Sequence, residues 1–256
     1  ATDRKIELEC ILCDDPLDLV TKLVAKAHEW MPDILAIWNM HFDIPRIIQT
    51  VEKYGGNIHD IFSDPCVPKA FRNVWYKEGP AKKITQSGKE MALHWVERWH
   101  TLNCPASFYV VDQAAIFAKL RFANGKEPSY ALDAILKKYA GISKLKNEEA
   151  DQYSGLDWHI YMQSNKHMKL EYGAYCIFDC VSCEILDELP KVGDLRQQFS
   201  MQCGHSDYSD FPSQPRRTVD DMHFTCLENG YVIGTTPKSL RTEFDDKVTP
   251  ITGWIN

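Results

Sequence analysis

Residues 34–47 read ILAIWNMHFDIPRI. Ile34–Trp38 form a short, almost wholly apolar run, the pattern of a buried strand. A turn follows, and Pro45 then opens a helix that carries Ile44, Ile47, Ile48 and Val51 on one side, with Gly55-Gly56 as its stop. Upstream, KIELECIL (5–12) reads as a strand. Asp14-Asp15-Pro16 reads as a helix start, and Leu19, Leu23, Ala27 and Trp30 keep a helical stripe that Pro32 ends. Strand, helix, strand, helix is an α/β rhythm.

Asp43 lies inside the deciding stretch, framed by Trp38, Phe42, Ile44 and Ile47. An unpaired charge in an apolar frame is costly, so this acid requires a partner. A second acid repeats the situation. MKLEYGAYCIFDCVSCEILDEL (168–189) reads as one long helix ended by Pro190, and within it Tyr175 and Asp179 stand four residues apart, on one face. Carboxylates at a strand end and on a packed helix can hold two Mg²⁺ ions, which clamp the attacking and leaving oxygens of a phosphodiester cleavage. The common alternative for either acid alone is a helix cap or a structural ion pair.

The rest of the chain is read more coarsely. Residues 66–104 carry prolines, a QSGK turn (86–89) and flanking strand-like runs, a hairpin-rich insertion. Within 66–100, seven basic residues (Lys69, Arg72, Lys77, Lys82, Lys83, Lys89, Arg98) face three acidic ones (Glu78, Glu90, Glu97), a local +4 in a chain whose net charge is −7. SFYVVD (107–112) resumes the sheet, QAAIFAKL (113–120) is helical, and SYALDAILKKYAG (129–141) is an amphipathic helix. Residues 143–168 read as polar and irregular, 204–217 as a linker, and Val219–Glu228 as a short helix.

A hydrophobic content of 44% and a charged content of 25% over 256 residues describe an ordinary folded chain, not a disordered one. No apolar run is long enough for a membrane span. Nine cysteines without a signal-peptide core point to reduced thiols in a cytoplasmic setting. Cys10/Cys13 and Cys180/Cys183 have CxxC spacing. Thiols packed in the core are the expected state of Cys176, Cys180 and Cys183, with zinc as the lesser reading.

Three stretches, in order, resemble the proofreading 3′–5′ exonuclease region of family B DNA polymerases, as in tailed phages of the T-even kind. WNMHFDIPRI is similar to the second exonuclease motif. VVDQAAIFAKLRFANGKEPSYALDAILKKYAG is similar to the stretch between motifs, and EYGAYCIFDCVSCEIL to the third motif, Tyr-x3-Asp. The resemblance implies an α/β, ribonuclease H-like exonuclease fold over residues 1–200: a mixed sheet flanked by helices, with a β-hairpin insertion. Residues 201–256 are then a linker and the start of a polymerase region. It also implies Asp43 and Asp179 as ligands of two Mg²⁺ (or Mn²⁺) ions, Tyr175 as the phenol that orients water, and Asn39 and Phe42 as contacts of a single-stranded primer 3′ end. The partner is DNA, in a host-cell cytoplasm, with no membrane.

One family feature has no counterpart. The opening Asp-x-Glu motif is absent from residues 1–30, where KIELECIL offers Glu7-x-Glu9 instead. The expectation is an incomplete exonuclease fold that begins after that strand and ends before the polymerase palm motifs. Such a chain shows little hydrolysis until a segment carrying Asp-x-Glu is supplied. The alternative is a non-catalytic structural or DNA-holding piece, such as one subunit of a split polymerase.

Overall fold

The computed structural model describes residues 9–85, 87–145, 147–149, 152–189 and 205–234. The chain divides into two compact units, Ala1–Cys203 and Gly204–Asn256.

The first unit is mixed α/β. Its main sheet has four strands in the order β1 (Ile34–Ile37), β6 (Tyr109–Asp112), β5 (Thr101–Asn103), β2 (Trp75–Lys77), and helices flank it. β1 and β6 run parallel, with Ile37 opposite Asp112. β5 is antiparallel to both β6 and β2. A separate hairpin pairs β3 (Lys82–Ile84) with β4 (Glu90–Ala92). The expected insertion is therefore only partly one: β2 and β5 extend the main sheet, and β3–β4 alone stand apart as a small exposed ribbon.

Helix α1 (Pro16–Trp30) starts as its sequence demands. The Asp15 side chain accepts from Asp18 N at 2.9 Å, and Pro16 takes the first turn, where its missing N–H costs nothing. It ends at Met31, which adopts a left-handed conformation (φ 46°) just before Pro32. α1 packs on α2 (Met40–Lys53) and α3 (Ile58–Phe62). On another side, α4 (Gln113–Leu120), α5 (Leu132–Tyr139) and α7 (Met168–Glu188) share a core of Phe117, Leu132, Ile135, Leu136 and Leu186. In the second unit, α8 (Gln214–Glu228) follows a turn that buries Tyr208 and Phe211.

Several local readings are corrected. Of KIELECIL, residues 5–8 lie outside the described part, and Glu9–Leu12 form no strand and are exposed. α2 begins at Met40, five residues before Pro45, because Asn39 supplies a cap; Pro45 stands inside the helix. Residues 143–168 contain α6 (Gly155–Ser164), whose apolar residues are too scattered for a helical stripe. α8 is longer than Val219–Glu228 and takes in the end of the supposed linker. Cys176 and Cys180 are exposed, not core as expected, whereas Cys183 is half-buried and packs against the core shared by α4, α5 and α7. β1 is not a buried strand: it is an edge among the described residues, and none of its four residues is fully buried. The reading of residues 235–256 lies outside the described part. Among the described residues, no helix is long and apolar enough to cross a membrane.

Candidate active site

β1 and β6 end side by side; β6 runs straight into α4, and β1 reaches α2 through a two-residue turn, Trp38 and Asn39. At the start of α2, Asn39 Oδ1 accepts from Phe42 N at 3.3 Å, and the Asn39 carbonyl accepts from Phe42 N and Asp43 N. At the start of α4, Asp112 Oδ1 accepts from Ala115 N at 2.9 Å. Asp112 Oδ2 reaches across and accepts from Met40 N, the first residue of α2, at 3.1 Å. One buried carboxylate thus ties two helix N-termini together at the carboxyl ends of two parallel strands, the place where open α/β sheets bind ligands. Burial pushes the Asp112 carboxyl up to about 7, although the N–H groups of Ala115, Met40 and Ala114 pull it down; the charge of Asp43 adds to the rise.

A cleft of about 650 Å³ opens at this point. Asn39, Phe42 and Asp43 line it from α2, and Asp179 lines it from α7, together with Lys144 from the loop after α5. Residues 136 positions apart, Asp43 and Asp179, therefore share one cavity. Tyr175 does not line it. Its hydroxyl accepts from Lys144 Nζ at 3.3 Å, and the same ammonium sits 2.8 Å from Asp179 Oδ2. The Tyr175 ring is held by Trp158 of α6, with ring centroids 4.7 Å apart, and Lys144 lies over its face.

The electrostatics of the two acids differ. Asp43 is half-buried, and burial raises its pKa above the ordinary carboxylate value. Asp179 has the Lys144 counter-charge. Burial works to lower the Lys144 pKa, but the bonds to Asp179 and Tyr175 outweigh it and hold the ammonium above its ordinary value. Burial likewise raises the Tyr175 phenol, so it stays protonated at neutral pH. Phe42 is 56% exposed, with the Arg46 guanidinium 4.7 Å from its ring.

Beneath the first turn of α2, His41 stacks on His100 with centroids 4.6 Å apart, and the Tyr76 hydroxyl bonds His100 Nδ1 at 2.8 Å. Burial pushes the His100 imidazole down to about 4, with His41 and Arg98 adding to the shift against Glu78. Neither ring lines the cleft.

Two carboxylates are hard oxygen ligands suited to Mg²⁺ or Mn²⁺. Asp179 Oδ1 is buried and has no hydrogen-bond partner among the described residues, an oxygen that a cation would satisfy. Asp43 and Asp179 thus fit that class of ion. Among the described residues, no three His, Cys, Asp or Glu side chains converge closely enough to hold a metal by themselves.

Sequence reasoning missed Lys144 and Asp112. Asp112 carried a readable signal, an Asp at a strand-to-helix boundary. Lys144 lies in a polar stretch with no periodicity, and nothing local marks it. No family model matches the chain, and no curated protein matches it either.

Proposed function

We propose that this chain binds the 3′ end of single-stranded DNA in the cleft between α2 and α7 and contributes the metal-binding acids of a 3′–5′ exonuclease site on a ribonuclease H-like fold. The observation that carries this reading is the convergence of Asn39, Phe42, Asp43 and Asp179 on one cleft, from two motifs far apart in sequence.

Asp43 and Asp179 would hold the divalent ions, which, when bound, supply Lewis-acid stabilisation of the charge developing on the phosphoryl oxygens. The protein's own groups do the positioning. Phe42 offers an exposed ring on which a terminal base stacks, and the Arg46 cation above it strengthens the local attraction for DNA. Lys144 orients Asp179 and holds the Tyr175 hydroxyl one helical turn away, where the protonated phenol can donate to a water molecule. Asn39 keeps the first turn of α2 in register, so that Phe42 and Asp43 face the cleft together.

Two carboxylates are a thin ligand set for Mg²⁺. The reading calls for an Asp-x-Glu strand beside β1, whose outer edge has no partner among the described residues. The test is binding and hydrolysis of single-stranded DNA with Mg²⁺ or Mn²⁺, before and after a segment carrying Asp-x-Glu is supplied. Expected are DNA binding, little hydrolysis at first, and hydrolysis on supplementation that Asp43→Ala or Asp179→Ala abolishes. Failure to bind single-stranded DNA overturns the reading. The Lys144–Asp179 ion pair favours a second reading, a non-catalytic DNA-holding module in which Asp179 is a structural anchor. Binding without hydrolysis even after supplementation selects it.

A further inference from the structure

The first residue of α4 has not entered the site so far. Gln113 is only 6% exposed, yet it lines the cleft beside the apolar Val111 and Ile116. Its Nε2 donates to the carbonyl oxygen of Cys183 on α7 at 2.9 Å. That bond fixes the amide. A carbonyl oxygen can only accept, so turning the amide over would set oxygen against oxygen. Gln113 Oε1 is therefore committed as an acceptor, and it is buried with no partner among the described residues.

A buried acceptor without a donor is a standing cost, and a Met or Leu would fill the same space without it. The cleft holds a second such atom, Asp179 Oδ1, whose sister oxygen is taken by Lys144. A cation can satisfy the carboxylate oxygen. The amide oxygen is equally well served by an uncharged N–H or O–H. A phosphate group brings acceptors only and satisfies neither atom. A cation aside, the group that can satisfy Gln113 Oε1 is thus a donor-bearing, non-phosphate part of the ligand.

We infer that Gln113 is a binding residue of this cleft, its Oε1 accepting a hydrogen bond from the terminal nucleoside of the bound strand, either from the 3′-hydroxyl or from an N–H of the base. The inference rests on the DNA-binding reading above and adds the contact that distinguishes a nucleoside end from a bare phosphate. Gln113 positions the end; it takes no part in bond breaking.

The test is fluorescence anisotropy of 5′-labelled single-stranded oligodeoxynucleotides, with Ca²⁺ in place of Mg²⁺, on the wild-type chain and on Gln113→Met. Expected is a three- to tenfold weaker Kd for the variant, roughly the worth of one neutral hydrogen bond. That penalty should vanish for an oligonucleotide with a 3′-dideoxy end if the hydroxyl is the donor, or with an abasic end if the base is. A purely structural role weakens all ends alike, so a penalty that persists for both modified ends overturns the inference, as does equal affinity for wild type and variant. In a measurement without any variant, the Gln113 side-chain amide resonances should move on addition of the oligonucleotide; unmoved resonances in a chain that binds DNA also overturn it. If the wild-type chain binds no oligonucleotide, the functional reading fails first. Capture of an extended peptide in its place would assign the free acceptor to a backbone N–H.

Discussion

The two walls of the cleft treat their candidate metal-binding acids, Asp43 and Asp179, oppositely, although Glu184 and Asp187 also line the α7 side. On the α2 wall, Asp43 lies in the first helical turn, half-buried, with no ion pair or hydrogen bond to its side chain among the described residues, and burial raises its pKa. On the α7 wall, Asp179 is held by the Lys144 ammonium at 2.8 Å. The N-terminus of α2 should favour an anion at Asp43, since a helix start carries a partial positive charge. Burial prevails there all the same. The α2 wall keeps an acid whose charge is costly until something positive enters the cleft.

The comparison can be broken from underneath. Asp112→Ala removes the acceptor that joins Met40 N and Ala115 N, leaving buried N–H groups at two helix starts. Loss of a cap plus unsatisfied donors predicts destabilisation of about 2–4 kcal/mol in urea unfolding. A loss much below 1 kcal/mol would mean that α2 is placed by packing alone.

A smaller effect is expected on the other wall. Lys144→Met leaves Asp179 without its counter-charge, in a partly buried pair, and should cost about 1–2 kcal/mol. Urea unfolding checks it: a loss well below that range would mean that the ion pair does not anchor this wall, and would remove the contrast.

The smallest change should be a gain. The folded pKa of Asp43 lies above its unfolded value near 3.8, so the folded state holds this proton more tightly. Its contribution to stability is greatest below the unfolded value and is lost as pH rises through the folded one. At pH 7 the charged acid is therefore a burden, and Asp43→Asn should raise the urea midpoint by an amount worth less than about 1 kcal/mol. At pH 3 the gain should be gone. Destabilisation at pH 7 would reveal a favourable partner for Asp43 and end the contrast from that side.

Much of the fold is written locally. α1, α4 and α7 stand where apolar spacing, an Asp cap before Pro16 and the run to Leu189 put them. Asp43 and Asp179 were legible as acids in apolar frames, whereas Asn39 and Phe42 were named only through the family resemblance; all four line the cleft. The start of α2 was misread because Pro45 is the louder signal, whereas Asn39 makes the cap. α6 was missed because its apolar residues follow no helical stripe.

By itself, the sequence determined the types of α1, β1, α4, α5 and α7 and the candidate acids Asp43 and Asp179, since helix stripes, caps and breakers act over a few residues. Tertiary structure alone decided what those acids meet. Lys144 reaches Asp179 across 35 positions, Gln113 reaches Cys183 across 70, and Asp112 reaches Met40 across 72. It also made ILAI an edge strand among the described residues, for four apolar residues read the same whether one neighbour strand pairs with them or two. Hydrogen bonds and ion pairs depend on distances in space, and no periodicity along the chain encodes which distant side chain will close them.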